Sequence, residues 1–267
     1  MNCKNCKTPL NEIDVFCNTC GGKVIRNRLT IGNLFENFSE QFLNYDNKFL
    51  QTFIKLFTYP EDVIGSFIQG TRKKYVNVIS YFAIALTFLG IQYFFLKKFY
   101  PELIDMSSLA NDVTADLQKK NMNFMMEYQS FVMMAYVPLY ALISKLVFFN
   151  IKTYNYTEHL VIFMYILSQT SIYGTFFIII GAIFNLSIEF LGLYIIAPIQ
   201  ILYSAYCLKR LFNLSFKGIV LRSLLFILVF TIAFILIALI YIAFMYFTGD
   251  MQEIIEAQKS AKVVTRY

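Results

Sequence analysis

The chain has no tryptophan, a single histidine and few charges. Each shortage excludes something. Without tryptophan, the anchoring at membrane–water boundaries that Trp and Tyr usually share falls to the 19 tyrosines. One histidine, His159, rules out a two-histidine zinc-protease motif. Charged residues make up 15% of the chain, against ~25% in an average soluble domain, and hydrophobic ones 58%. Mean hydropathy is +0.56. The apolar excess is gathered in long blocks, which marks membrane spans rather than a large soluble core. No Asp or Glu lies deep in any block, Glu189 being at an edge, and ion-coupled transport usually needs buried ionisable groups. No internal repeat is apparent, which counts against an inverted-repeat transporter. Nucleophile elbow, phosphate loop and dinucleotide fingerprint are all missing, so nothing marks the chain as an enzyme. The start, Met-Asn-Cys-Lys-Asn-Cys, has no apolar stretch behind a basic residue, so no cleavable signal peptide is expected.

Five apolar blocks are long enough to cross ~30 Å of hydrocarbon. They run from about Asn77 to Leu96, Gln129 to Phe149, His159 to Phe184, Glu189 to Cys207 and Ser223 to Phe247. Lipid offers no partner to a free backbone group, so each must be helical. The expected fold is an all-α membrane protein, a bundle of about five transmembrane helices behind a small N-terminal zinc ribbon. Its segments are a ribbon over 1–25, an amphipathic juxtamembrane stretch over 26–76, the bundle over 77–247 and a polar tail over 248–267. In the second segment Ile31, Leu34, Phe35, Phe38, Phe42, Phe49, Phe53 and Phe57 recur at helical spacing, with a break at Asn44–Asn47 and an end before Pro60. That stripe suits either an interfacial helix or packing against the protein's own spans. Ser107 or Ser108 should cap a short helix reaching Lys120, and the tail should begin helical. Pro138 and Pro198 should kink their helices.

Cys3-x2-Cys6, ten residues, then Cys17-x2-Cys20 is a paired knuckle. Each half grips an ion from one tight turn, and the two halves complete a tetrahedral four-thiolate set. Zinc is the default ion, and iron in a rubredoxin-like site takes the same ligands. With four protein thiolates no coordination position stays open, so the metal is structural. Thiolates persist in reducing solvent, which places the N-terminus in the cytosol of a cell inner (cytoplasmic) membrane. The positive-inside count gives only a mild bias the same way: Arg72, Lys73, Lys74, Lys152, Lys209, Arg210 and Lys217 fall on the N-terminal side, against Lys97, Lys98, Lys119 and Lys120 on the other, with three more basic residues in the tail. The net charge of +6 is read as topology and lipid contact, with no nucleic acid expected.

Glu158, His159 and Gln169 are the candidate polar functional residues. Glu158 and His159 sit where the third block begins and read either as a proton-handling pair or as a polar cap at the interface. Gln169 belongs to a patch, Ser168 to Ser171, that either lines a pathway or joins helices by hydrogen bonds. Gln92, Ser144, Gln200 and Ser204 are further polar points. Lys145 and Arg222 are close enough to block ends to snorkel. Met122, Met125, Met126, Met133 and Met134 cluster, which suits packing far better than copper binding.

Three elements resemble an uncharacterised bacterial membrane family with an N-terminal zinc ribbon. They are Phe16-Cys17-Asn18-Thr19-Cys20-Gly21; Pro60 followed by Gly70-Thr71-Arg72-Lys73-Lys74-Tyr75; and Tyr156-Thr157-Glu158-His159-Leu160-Val161-Ile162-Phe163. Asn77-Val78 stands where the family's pattern has Asn-Pro. The resemblance implies a Yip-like architecture and assigns no activity. The residues favour a non-enzymatic docking or membrane-organising protein, with a protein partner at the ribbon and homo-oligomers open. A transporter or channel for a small solute is the alternative.

Overall fold

The structure is a computed structural model that describes residues 2–22, 24, 48–103, 124 and 126–248. Of residues 241, 242, 244, 245, 247 and 248 it describes the backbone alone. The chain divides into two compact units, Met1–Asn47 and Lys48–Tyr267. The boundary falls at the end of the expected Asn44–Asn47 break. The expected helix over 107–120, the polar tail and the N-terminal half of the amphipathic stripe lie outside the described residues.

The first unit is built on two turns of the same design. The amide of Lys7 donates to the carbonyl of Cys3, and that of Gly21 to the carbonyl of Cys17 (2.9 and 2.8 Å). In return the amides of Cys3 and Cys17 donate to the carbonyls of Thr8 and Gly22, both at 2.8 Å. The residue after each second cysteine takes positive φ: Lys7 at 64° and Gly21 at 69°. An isolated bridge joins Asn2 to Pro9. Among the described residues Cys3, Leu10 and Cys17 are its buried apolar cluster, a core so small that a bound ion would be its main support.

The second unit is helical. It comprises α1 (Lys48–Thr58), α2 (Pro60–Ile68), α3 (Val78–Phe99), α4 (Gln129–Val147), α5 (Tyr156–Ile183), α6 (Ile188–Leu211) and α7 (Phe216–Thr248). The last five are long and apolar enough to cross a membrane. Several starts differ from the expected ones, and capping explains them. Asn155 and Glu158 form a complete capping box, so α5 begins at Tyr156 rather than His159. The Ser215 hydroxyl accepts from the Gly218 amide (3.2 Å), starting α7 seven residues before Ser223. Pro60 follows the end of α1, as the pattern indicated, and opens α2 at its first helical position, where no amide is needed. In α6 the turn Leu191–Ile196 is π-helical and ends two residues before Pro198. A proline ring crowds the carbonyl four residues back, and the wider turn relieves that clash. Pro138 lies inside α4, which remains one helix.

Helix α5 is the centre of the bundle, with 67% of its most apolar window buried, against none of α7's. It runs parallel to α3, pairing Gln169 with Tyr81 and Thr175 with Gln92. It runs antiparallel to α4, pairing His159 with Ser144 and Ser171 with Met133. At its C-terminal end α6 comes so close that a Cβ on Gly181 would sit 2.2 Å from Leu191 Cδ1. The glycine is what permits that approach.

The apolar face of α1 and α2 packs on the protein's own spans. Leu56, Val63 and Ile64 are buried in the main cluster with Tyr81, Tyr165 and Phe163, and Phe49 and Phe53 lie against it. Leu50 and Ile54 on α1's other side are exposed.

Candidate functional site

The four expected metal ligands converge. The sulfurs of Cys3, Cys6, Cys17 and Cys20 all lie within 4.8 Å of one another. Cys3 and Cys20 are 3.7 Å apart, and Cys6 and Cys17 3.5 Å. A tetrahedron with ~2.3 Å metal–sulfur bonds has edges of about 3.8 Å, so the cluster needs little adjustment to enclose an ion. All four thiols are free; a disulfide would bring two sulfurs to ~2.05 Å. The surroundings draw Cys3 and Cys6 toward the thiolate a metal requires, whereas Cys20, despite the lowering pull of the Gly22 amide, is raised by its contact with Cys6 and by burial. The Thr8 hydroxyl, at 3.2 Å, and the Thr8 amide pull the Cys6 thiol down to about 6. The amides of Cys6 and Asn5 lower Cys3. Asn5 Nδ2 approaches Cys20 Sγ at 3.6 Å. Cys3 and Cys17 are buried, while Cys6 and Cys20 are at the surface. The loop between the knuckles carries apolar side chains into solvent: Ile13 is 87% and Val15 58% exposed.

Glu158, His159 and Gln169 do not meet. Glu158 accepts from the Asn155 amide at 2.6 Å and is occupied in the capping box. His159 is fully buried rather than an interfacial cap. Its Nδ1 lies 3.0 Å from Ser144 Oγ, Nε2 has no partner, and its ring packs against Phe148 and Phe212. Gln169 lies ten residues further along α5, about 15 Å away.

Gln169 is instead the middle of a polar clasp between α1 and the spans. Its Oε1 accepts from the Tyr81 hydroxyl, and its Nε2 donates to the Phe53 carbonyl at 3.0 Å. The Thr52 hydroxyl accepts from the Val76 amide at 3.0 Å, and the Tyr165 hydroxyl donates to the Val76 carbonyl at 2.8 Å. The last carbonyls of α1, which have no partner within the helix, accept from tyrosines one turn apart on α6. Tyr203 donates to Leu56 and Tyr206 to Thr58, both at 3.0 Å. Beyond them Arg210 grips Glu61 with both forks. Lys74 (2.7 Å) and Tyr75 (2.5 Å) hold Asp62. Arg210's hydrogen bond keeps Glu61 below the usual carboxylate range, and those of Lys74 and then Tyr75 do the same for Asp62. Sequence patterns did not point to Tyr81, Tyr165, Tyr203 and Tyr206. A tyrosine in an apolar block looks like any aromatic until its hydroxyl has a partner.

A cavity of about 290 Å³ lies between α3, α4, α5 and α6, bordered by Gln92, Gln129, Thr170, Ser171, Thr175 and Gln200. Several of these groups are already used: Thr175 donates to Gln92 Oε1 at 2.9 Å, and Thr170 to the Leu167 carbonyl at 3.0 Å. The described methionines do not converge on an ion. Met133 is buried, Met134 is half exposed, and Met126 packs with Leu96 and Ile178. Met122 and Met125 lie outside the described residues.

Five span-length apolar helices define a multi-pass membrane protein, and its small N-terminal unit carries a four-cysteine cluster able to hold a metal ion. Residues 46–90 are similar to a family described as "Protein of unknown function (DUF3667)". The match takes in α1, α2 and the first half of α3, which is one side of the clasp. It includes Pro60 and Gly70–Tyr75 of the resembling elements, but neither the knuckles nor Tyr156–Phe163. No curated protein and no solved structure matches the chain.

Proposed function

We propose that the chain is a non-enzymatic docking protein of a cell's inner membrane. A zinc-stabilised ribbon in the cytosol presents a recognition loop, and the helical bundle anchors it. The observation that carries this reading is the loop of the ribbon, where Ile13 and Val15 are solvent-exposed beside a cluster with no open metal position. Apolar side chains exposed on so small a unit are suited to a protein partner. A closed thiolate site supplies rigidity rather than chemistry. The polar groups of α5 also support it, since Gln169, Ser168, Thr170 and Thr175 are all used in bonds within the bundle.

The test places a photocrosslinker at Ile13 in the full chain in native membranes. A discrete protein adduct is expected, lost in a Cys17→Ser variant that cannot close the metal site. Crosslinking to lipid or to nothing, with the metal bound, would refute docking through the ribbon. A second reading, a channel or transporter for a small uncharged solute, is favoured by the cavity beside Gln92 and Gln200. Solute flux into proteoliposomes that a Ser171→Phe variant blocks would establish it instead.

A further inference from the structure

A second cavity, of about 370 Å³, lies between α4, α5, α6 and α7. That volume falls within the range of small-molecule sites, about 300–1,000 Å³. Its walls are mostly aromatic and aliphatic, including Phe148, Phe163, Phe226 and Phe230. Two of its lining residues, Ile201 on α6 and Ile227 on α7, are also 48% and 42% exposed. The cavity therefore opens sideways between these helices, where acyl chains lie.

Its one charged lining residue is Arg222. Because α7 starts at Phe216, Arg222 is six residues inside the helix, about 9 Å from its beginning. From there its side chain reaches back to the loop between α4 and α5, as expected of a residue near enough to an end to snorkel. Its Nη2 donates to Asn150 Oδ1 at 3.2 Å, and its guanidinium lies 5.4 Å from the centre of the Phe148 ring. Nε is buried without a partner. Among the described residues no carboxylate pairs with it, whereas Arg210 and Lys74 each have one. A cation within a span normally has an anionic partner or reaches water. Here, among the described residues, the exposed Asn150 amide and the Phe148 ring face are the companions of a half-buried guanidinium.

We propose that this cavity binds an anionic phospholipid from the surrounding bilayer. One acyl chain occupies the apolar cleft between α6 and α7, and the phosphate meets the Arg222 guanidinium. Charge complementarity selects the occupant. A zwitterionic lipid would bring a cationic group beside Arg222, and a neutral one would leave the guanidinium unpaired. This site is independent of the docking reading and of the ribbon.

The test uses the full chain in nanodiscs of phosphatidylcholine containing a minor fraction of phosphatidylglycerol, with retained lipid counted by native mass spectrometry. Wild type should keep one phosphatidylglycerol in preference to phosphatidylcholine. Glycerol 3-phosphate, which has the charge but no chains, should not displace it. Arg222→Gln should reduce the preference about tenfold, the low end for a charge-assisted hydrogen bond. Arg222→Lys should keep most of it, and Lys217→Gln should leave it unchanged. Ala205→Phe, which fills the cleft, should abolish retention. No preference in wild type, displacement by glycerol 3-phosphate, or an equal loss in Lys217→Gln would overturn the proposal. The wild-type competition stands even if a variant fails to fold.

Discussion

Replacing Gln169 by methionine keeps the side chain's length and removes both of its hydrogen bonds. The Tyr81 hydroxyl, on a fully buried side chain, then has no acceptor. A buried polar group left unsatisfied costs about 1–3 kcal/mol. The Phe53 carbonyl suffers less, because as a residue inside α1 it keeps its helical partner four residues on. Its lost interhelical bond is worth about 0.6 kcal/mol. Gln169→Met should therefore destabilise the bundle by about 2–3 kcal/mol. Tyr81→Phe alone strands Gln169 Oε1 and should cost about 1–2 kcal/mol. The double variant removes both members of the pair, and replacing both partners with apolar groups approaches neutrality. A coupling energy of at least about 1 kcal/mol is expected from the cycle. Reversible unfolding of the full chain in mixed micelles measures it. Proteolysis between Gln69 and Asn77 reports whether α1 and α2 have left the spans. Single-variant costs that add to within about 0.5 kcal/mol would show that Tyr81 and Gln169 do not act as a pair.

Lys7 and Gly21 occupy equivalent positive-φ positions in the two knuckles, so opposite swaps should have opposite effects. Lys7→Gly should strengthen metal retention and Gly21→Ala weaken it, each by about 1 kcal/mol, measured by competition with a chromophoric chelator. Removing the metal should unfold the ribbon while leaving the helical signal of the spans intact, as seen by circular dichroism. Glu61 and Asp62 are held below their ordinary values, so their ion pairs contribute fully above the usual carboxylate range. That contribution is lost as pH falls through the lowered values, beginning below about pH 4. Both pairs are partly exposed, so the effect should stay under about 1 kcal/mol and disappear in a Glu61→Gln, Asp62→Asn variant, as an acid titration of the unfolding midpoint would show. Gly181→Ala pushes a methyl into Leu191 and should cost about 1–3 kcal/mol, with Leu191→Ala relieving part of it in a second unfolding cycle.

Local chemistry was readable along the chain. Apolar length marked the five spans, and cysteine spacing marked the four-sulfur cluster, because each depends on near neighbours. The capping box was readable too: Asn155 three residues before Glu158 is the pattern that starts a helix, and it gives Glu158 a capping role. Hydropathy also held a clue to position. Helix α7 is by far the most apolar span and is unburied, whereas α4, α5 and α6 are equally apolar and only α5 is mostly buried. With lipid as the surrounding medium, the most apolar helix can face outward, and a helix bearing Gln169, Thr170 and Thr175 gains by turning inward. Which partner each polar group finds was decided only by the tertiary structure. Tyr203 meets Leu56, 147 residues away, and Gln169 meets Phe53 across 116. Periodicity shows which groups share a face of one helix, but contacts between helices depend on how the whole bundle packs.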